Sequence, residues 1–245
     1  MKKHFLLFLC IVFTIILSAQ NTLQGKVFYT VSLKAYSKQY VDSVFEKRKT
    51  TKFAQQYLRK MLMNTKNVTS VLEFSKNESL YKTKSELKNE ANKVLNMTAM
   101  ISGSNTIYYT NSTKKDYYKQ LNHEEPLRVD LQPIKWIITQ KTKKIGNYLC
   151  FKAIAIKNEK EDKPPIKIVA WFTPIIPVSF GPIDYFGLPG LILEVSYNRV
   201  NIKAVKIVLK PTEQIVIKKP TKGKRMTNAE YEEISRNFFK DLGKK

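Results

Sequence analysis

The stretch "GPIDYFGLPGLILEV", Gly181–Val195, sets three glycines and two prolines among large apolar residues, with Asp184 and Glu194 its only charges. Leu188-Pro189-Gly190-Leu191 predicts a type II turn, because proline fixes φ at the second position and glycine accepts positive φ at the third. Gly187 just before it permits close backbone approach. Beyond the turn, "LILEVSY" reads as a strand. Ahead of it, "WFTPIIPVSFGP" carries Pro174, Pro177 and Pro182 at a spacing that no central strand tolerates. The chain is therefore expected to leave a strand near Trp171, cross about 15 residues in an extended path, and re-enter the sheet through a stiff turn. Such a crossover either seals one end of the sheet or presents Trp171, Phe172, Phe180, Tyr185 and Phe186 as a cleft lining or hydrophobic docking surface.

Outward from this segment the chain reads as strand upon strand. "GKVFYTVSLKA" from Gly25 alternates Val27, Tyr29, Val31 and Leu33 with polar residues, the period of a half-buried strand. Hairpins are expected for "TSVLEFS"/"SLYKTKS", for "TIYYT"/"DYYKQL", and for "IKWIITQKT"/"YLCFKAIAIK" with its turn over Lys143–Asn147. "LRVDL", "IKIVAWFT", "VNIKAVKIVLK" and "EQIVIKK" add further strands. One amphipathic helix is expected over Lys49–Met63, and Glu86–Asn96 reads as a short helix or an insertion. Thr227 and Glu230 make a capping box ahead of a C-terminal helix. This pattern predicts an α+β fold, mostly antiparallel, with one curved sheet or half-barrel and a few packed helices.

The first twenty residues pair Lys2 and Lys3 with an apolar block from Phe5 to Leu17, ending in Ser18 and Ala19. That is the layout of a signal peptide, and the block is shorter than the roughly 20 residues a spanning helix needs. Residues 21–245 are then expected to form a single β-rich domain, with a basic C-terminal segment over 218–245. Setting aside Lys2 and Lys3, 41 Lys and Arg oppose 20 Asp and Glu, a formal +21. Such a field favours anionic lipid, acidic polysaccharide or other polyanions, while export argues against nucleic acid.

Chemistry has little material here. Beyond the leader there is one histidine, His123, and one cysteine, Cys150, so no internal disulfide is available. His123 sits in the polar run "LNHEEP", and Cys150 falls within a strand, the usual setting of a small core filler. A metal site needs three or four converging ligands. The expectation is of no catalytic residues, no metal and no cofactor.

"FGLPGLILEV", with "GPIDY" before it and "KKIGNYLCFKA…IVAWFTPIIPVSF" upstream, resembles the signature of the GLPGLI family. These are exported proteins mainly from the Bacteroidetes, named for the six residues at Gly187, Leu188, Pro189, Gly190, Leu191 and Ile192. The likeness covers Leu127 to Tyr197 and implies a periplasmic, outer-membrane-peripheral or secreted location. It carries no established activity and no catalytic residues. Two functions follow as expectations. One is an envelope protein that holds a lipid, acyl chain or peptide, such as an anionic amphiphile, on a concave apolar face. The other is an outer-membrane or secreted assembly protein that docks a partner, such as an outer-membrane protein, on the Trp171–Phe186 segment.

Overall fold

The computed structural model describes residues 23–46, 51–84, 96–157 and 164–242. The leader, the start of the helix expected from Lys49 and most of the Glu86–Asn96 segment lie outside them. Two meanders meet in the middle of one curved sheet of twelve strands. The first runs β1 (Gln24–Leu33), β2 (Val68–Ser75), β3 (Glu78–Thr83), β4 (Thr106–Asn111), β5 (Asp116–Leu121) and β6 (Leu127–Asp130). The second runs β7 (Ile137–Ile145), β8 (Tyr148–Lys157), β9 (Ile166–Thr173), β10 (Leu191–Tyr197) and β11 (Val200–Leu209), and β11 pairs back onto β1. All these pairs are antiparallel. A short β12 (Lys224–Met226) adds a parallel pair on β6 at one edge, and β7 forms the other.

This order forces the sheet to curl. The chain passes from β6 to β7 between Asp130 and Ile137, a link that reaches about 25 Å when fully extended. In a flat sheet those strands would stand ten spacings apart, about 48 Å. The two flanks must therefore bend toward each other, giving an inner face and an outer one. Strand β1 shows the division, since Val27, Tyr29, Val31 and Leu33 are buried while the residues between them are half-exposed.

The inner face is filled by the chain itself. Between β9 and β10 the crossover turns inward, and Ile176, Val178, Phe180, Ile183, Tyr185, Phe186 and Leu188 are all buried. Burying a side chain of this size is worth roughly 1.5–3 kcal/mol. Backbone bonds stitch the crossover to its own exit: Leu191 N–H donates to Ile176 O (3.0 Å) and Ile192 N–H to Phe180 O (3.0 Å). From the facing strand, the Tyr29 hydroxyl donates to Ile192 O at 2.6 Å. The turn differs from the expected type II geometry. Gly190 N–H closes a three-residue turn on Leu188 O (2.8 Å), and Leu191 N–H is committed to Ile176 instead. The close approach is also not at Gly187, which has φ of +92° and open space around it. It falls at Gly190, where a Cβ would stand 2.3 Å from Thr173 O. Ile183 holds φ of +56°, a conformation that costs an L-residue roughly 1–2 kcal/mol. Its buried side chain offsets that cost.

Two further expectations need correction. The N-terminal half has two helices before β2, α1 (Lys38–Glu46) and α2 (Lys52–Met63), tied by an Arg59–Asp42 ion pair. A third, α3 (Met97–Ile101), packs Met97 and Ile101 onto the inner core. "EQIVIKK" is not a strand. Bounded by Pro211 and Pro220, residues 211–223 form an irregular strap over the outer face, with Ile215 N–H bonded to Gln24 Oε1 at 2.9 Å. The strap ends in β12 and helix α4 (Asn228–Leu242), which opens on the expected capping box, with Thr227 N–H donating to Glu230 at 2.7 Å and Glu230 N–H to Thr227 Oγ1 at 3.2 Å.

Gly190→Ala is expected to lower the unfolding free energy by about 2–4 kcal/mol, because its methyl meets backbone rather than a movable side chain. Gly146→Ala, in the open β7–β8 turn at φ of +56°, should cost about 1 kcal/mol. Urea unfolding of both variants checks the ranking.

Candidate functional site

The five aromatic residues of the crossover region do not share one surface. Phe172, Phe180, Tyr185 and Phe186 are buried, at 2–7% exposure. Phe180 packs on Phe74 of β2, Phe186 on Tyr117 of β5, and Tyr185 on Tyr197 of β10. Trp136, in the β6–β7 link, donates its indole N–H to Phe186 O at 2.9 Å. These side chains join three strands and the β6–β7 link to the crossover, so they present no docking surface while the inner face is closed. Sheet register explains the split. Ala170 and Phe172 point inward, and Trp171 between them points out.

Trp171 is the half-exposed centre of a cationic group on the outer face. It is paired in register with Lys152 on β8 and Glu194 on β10. Lys143 Nζ lies 4.4 Å from the indole centroid and Lys152 Nζ 5.9 Å. Lys143 also bridges to Glu194 at 2.9 Å, which fixes one ammonium over the ring. An ammonium over an indole face contributes roughly 0.5–1 kcal/mol at an exposed site. Sequence reading found Trp171 but not its lysines. Lys143 comes from a strand 28 positions away, and a β-bulge between Ile138 and Thr142 sets its register.

The groups considered for chemistry are separated. His123 is exposed in the β5–β6 loop. Cys150 is fully buried, and loss of solvation pushes its thiol up to about 11. Among the described residues, no three His, Cys, Asp or Glu converge as a metal site. Lys119 on β5 is half-buried with its ammonium 4.8 Å above Tyr231 of α4. Burial lowers its pKa, and the charge of Asp184 opposes that shift. A depression of about 410 Å³ lies under the strap, lined by Lys26, Glu73 and residues 211–216. None of the five aromatics reaches it.

The strap is an electrostatic clasp at one end of the outer face. Asp116 accepts from Lys219 and Arg225, each at 2.8 Å, and Arg225 reaches Asp130 at 2.6 Å. The Tyr118 hydroxyl donates to Pro220 O, and Arg225 lies over the Tyr118 ring at 5.1 Å. Partial burial would raise the Asp116 carboxyl, but the bonds and charges of Lys219 and Arg225 outweigh it and hold the group below its ordinary value.

The molecule is thus a curled β-sheet protein whose inner face is occupied by its own crossover and whose outer face carries exposed cations. A family model described as a protein of unknown function, Porph_ging, matches residues 157–194, the run from the end of β8 through β9 and the crossover into β10. Among solved structures the chain is similar to PNGF-II in its C2 and P21 crystal forms, each with a TM-score of 0.51, at 15% and 13% identity. Both alignments cover 86% of this chain and 32% of the other, so this chain spans about a third of PNGF-II. At that identity the likeness is one of fold. No curated protein sequence matches. Among the described residues, no helix is long and apolar enough to cross a membrane.

A depressed carboxylate stabilises the fold above its unfolded pKa and ceases to do so as pH falls through its folded value. Stability from Asp116 should therefore be constant from neutrality to about pH 5 and fall below about pH 4. Asp116→Asn should be the less stable protein at pH 7, with the difference from wild type shrinking as the medium is acidified. Urea midpoints across pH measure both.

Proposed function

We propose that this protein is an exported, non-catalytic binding protein of the bacterial envelope, one of the GLPGLI proteins of the Bacteroidetes, and that it meets a macromolecular partner with the outside of a half-barrel-like sheet. The observation that carries this reading is the filled inner face. Seven crossover side chains occupy the surface where a lipid or acyl chain would lie. What remains accessible is the outer face around Trp171 and the edge strand β7, where Ile137 and Ile138 stand 66% and 50% exposed. Separate placement of His123 and Cys150 favours binding over catalysis. The leader layout and the run "GLPGLI" support export and family.

The test uses the chain from Asn21 onward, purified from an envelope fraction. Native mass spectrometry is expected to show the bare polypeptide mass. A stoichiometric added lipid mass that leaves on denaturation would instead restore the inner-face ligand reading. A photoreactive residue at position 171 should crosslink to envelope material, whereas the same residue at position 180 should crosslink only within the chain.

A further inference from the structure

We infer that the outer face binds a linear anionic polysaccharide along a lysine-and-aromatic row that crosses the sheet, a proposal that rests on the outer-face reading above. The row begins at Trp171. Register carries it from Lys152 through Trp171 and Glu194 to Lys203, then to Thr30 and Thr69. One step along the strands, a second register line joins Lys206, Phe28, Val71 and Lys82. Phe28 repeats the arrangement at Trp171: it is half-exposed, with Lys206 Nζ 5.7 Å and Lys84 Nζ 5.5 Å from its ring centroid. Two aromatic rings on one face, each flanked by two ammonium groups, therefore stand three strands apart, about 14 Å across the strands and about 7 Å along them.

Charge along this row is one-sided. Lys152, Lys203, Lys206, Lys82 and Lys84 carry it, and Glu194 is already bridged to Lys143. The strap does not cover the row. It meets the second register line only at Gln120, two strands past Lys82, where Lys222 N–H donates to Gln120 Oε1, and its contacts on Tyr118, Gln24 and Asp116 lie further toward the opposite end of the strands. Low-affinity surface charge attracts any polyanion, but the paired rings add a geometric demand. An apolar ring face suits the C–H face of a pyranose, and the ammonium groups beside it suit carboxylate or sulfate substituents. The outer face of a curled sheet is convex, so a flat bilayer would touch it along only part of the row, whereas a flexible polymer follows the curve. The export leader disfavours nucleic acid as the occupant.

The probe is alginate, a linear polyuronate, titrated into the chain from Asn21 onward by calorimetry at about 0.15 M salt, where exposed charges beyond roughly 8 Å are screened. Neutral dextran, single-stranded DNA and phosphatidylglycerol vesicles serve as comparisons. Alginate is expected to bind and dextran not. Trp171→Ala, which changes no charge, should weaken alginate binding about five- to tenfold, in line with the loss of a ring contact. The exposed pair Lys203→Gln and Lys206→Gln should weaken it further. Lys114→Gln with Lys115→Gln, which removes two charges from the β4–β5 turn, should leave it within about twofold, as expected for charges beyond a screening length. Trp171→Phe keeps a ring and should retain most of the affinity, which separates loss of contact from loss of folding. Equal effects from the two lysine pairs, with none from Trp171→Ala, would reduce the row to diffuse charge and overturn the proposal. Tighter binding to DNA or vesicles through the same residues would overturn the polysaccharide while leaving the outer-face reading standing. Binding of no polymer, with crosslinking at position 171 intact, would point to a protein partner instead.

Discussion

The fold depends on the insertion of the crossover between β9 and β10 into the inner face of the sheet. Two flanks joined by a six-residue link between β6, next to one edge, and β7, at the other, must curl, and a curled sheet without contents would leave an apolar hollow. The crossover supplies the contents from within the chain. Its prolines keep it out of any ladder, its apolar residues face Phe74, Tyr117 and Tyr197 from separate strands, and Tyr29 fastens its exit by a bond to Ile192. Gly190 makes this possible, because the chain there passes against the backbone of Thr173 with no room for a side chain.

The stretch that the family model matches is the one that fills the inner face. Residues 157–194 hold β9, whose alternation sends Phe172 inward and Trp171 outward, and the whole plug that determines whether the inner face is open or closed. The similarity to PNGF-II covers 86% of the chain at 15% identity, so a fold of this kind is compatible with very different side chains. A closed interior and a matching crossover belong to one physical requirement, that of filling a curved sheet.

Much of this was legible in the sequence. Strand alternation, three hairpin turns and the capping box at Thr227 follow from local patterns, and local interactions produce them. The crossover was legible as an interruption of the sheet but not in its direction. Whether Phe180 and Tyr185 face solvent or the sheet depends on pairing with Phe74 and Tyr197, contacts that periodicity does not encode. "EQIVIKK" alternates like a strand, yet Pro211 and Pro220 and the pull of Gln24 and Asp116 make it a strap. Here long-range contacts override local propensity. The lysines around Trp171 were invisible for the same reason, since Lys143, Lys152 and Glu194 become neighbours only through the register of four strands.

Charge and topology also bear on each other. A chain with a formal excess of 23 positive charges pays a self-repulsion cost if its cations crowd. At the strap the crowding is relieved by Asp116 and Asp130, which hold Lys219 and Arg225 in place. Across the outer face from β8 to β3, by contrast, the lysines lie beside Trp171 and Phe28, and ring quadrupoles are a weaker compensation than carboxylates. The repulsion left there is lowered by any bound anion. The same geometry that fills the inside with the chain's own residues thus leaves its unsatisfied charge on the outside, where a partner can reach it.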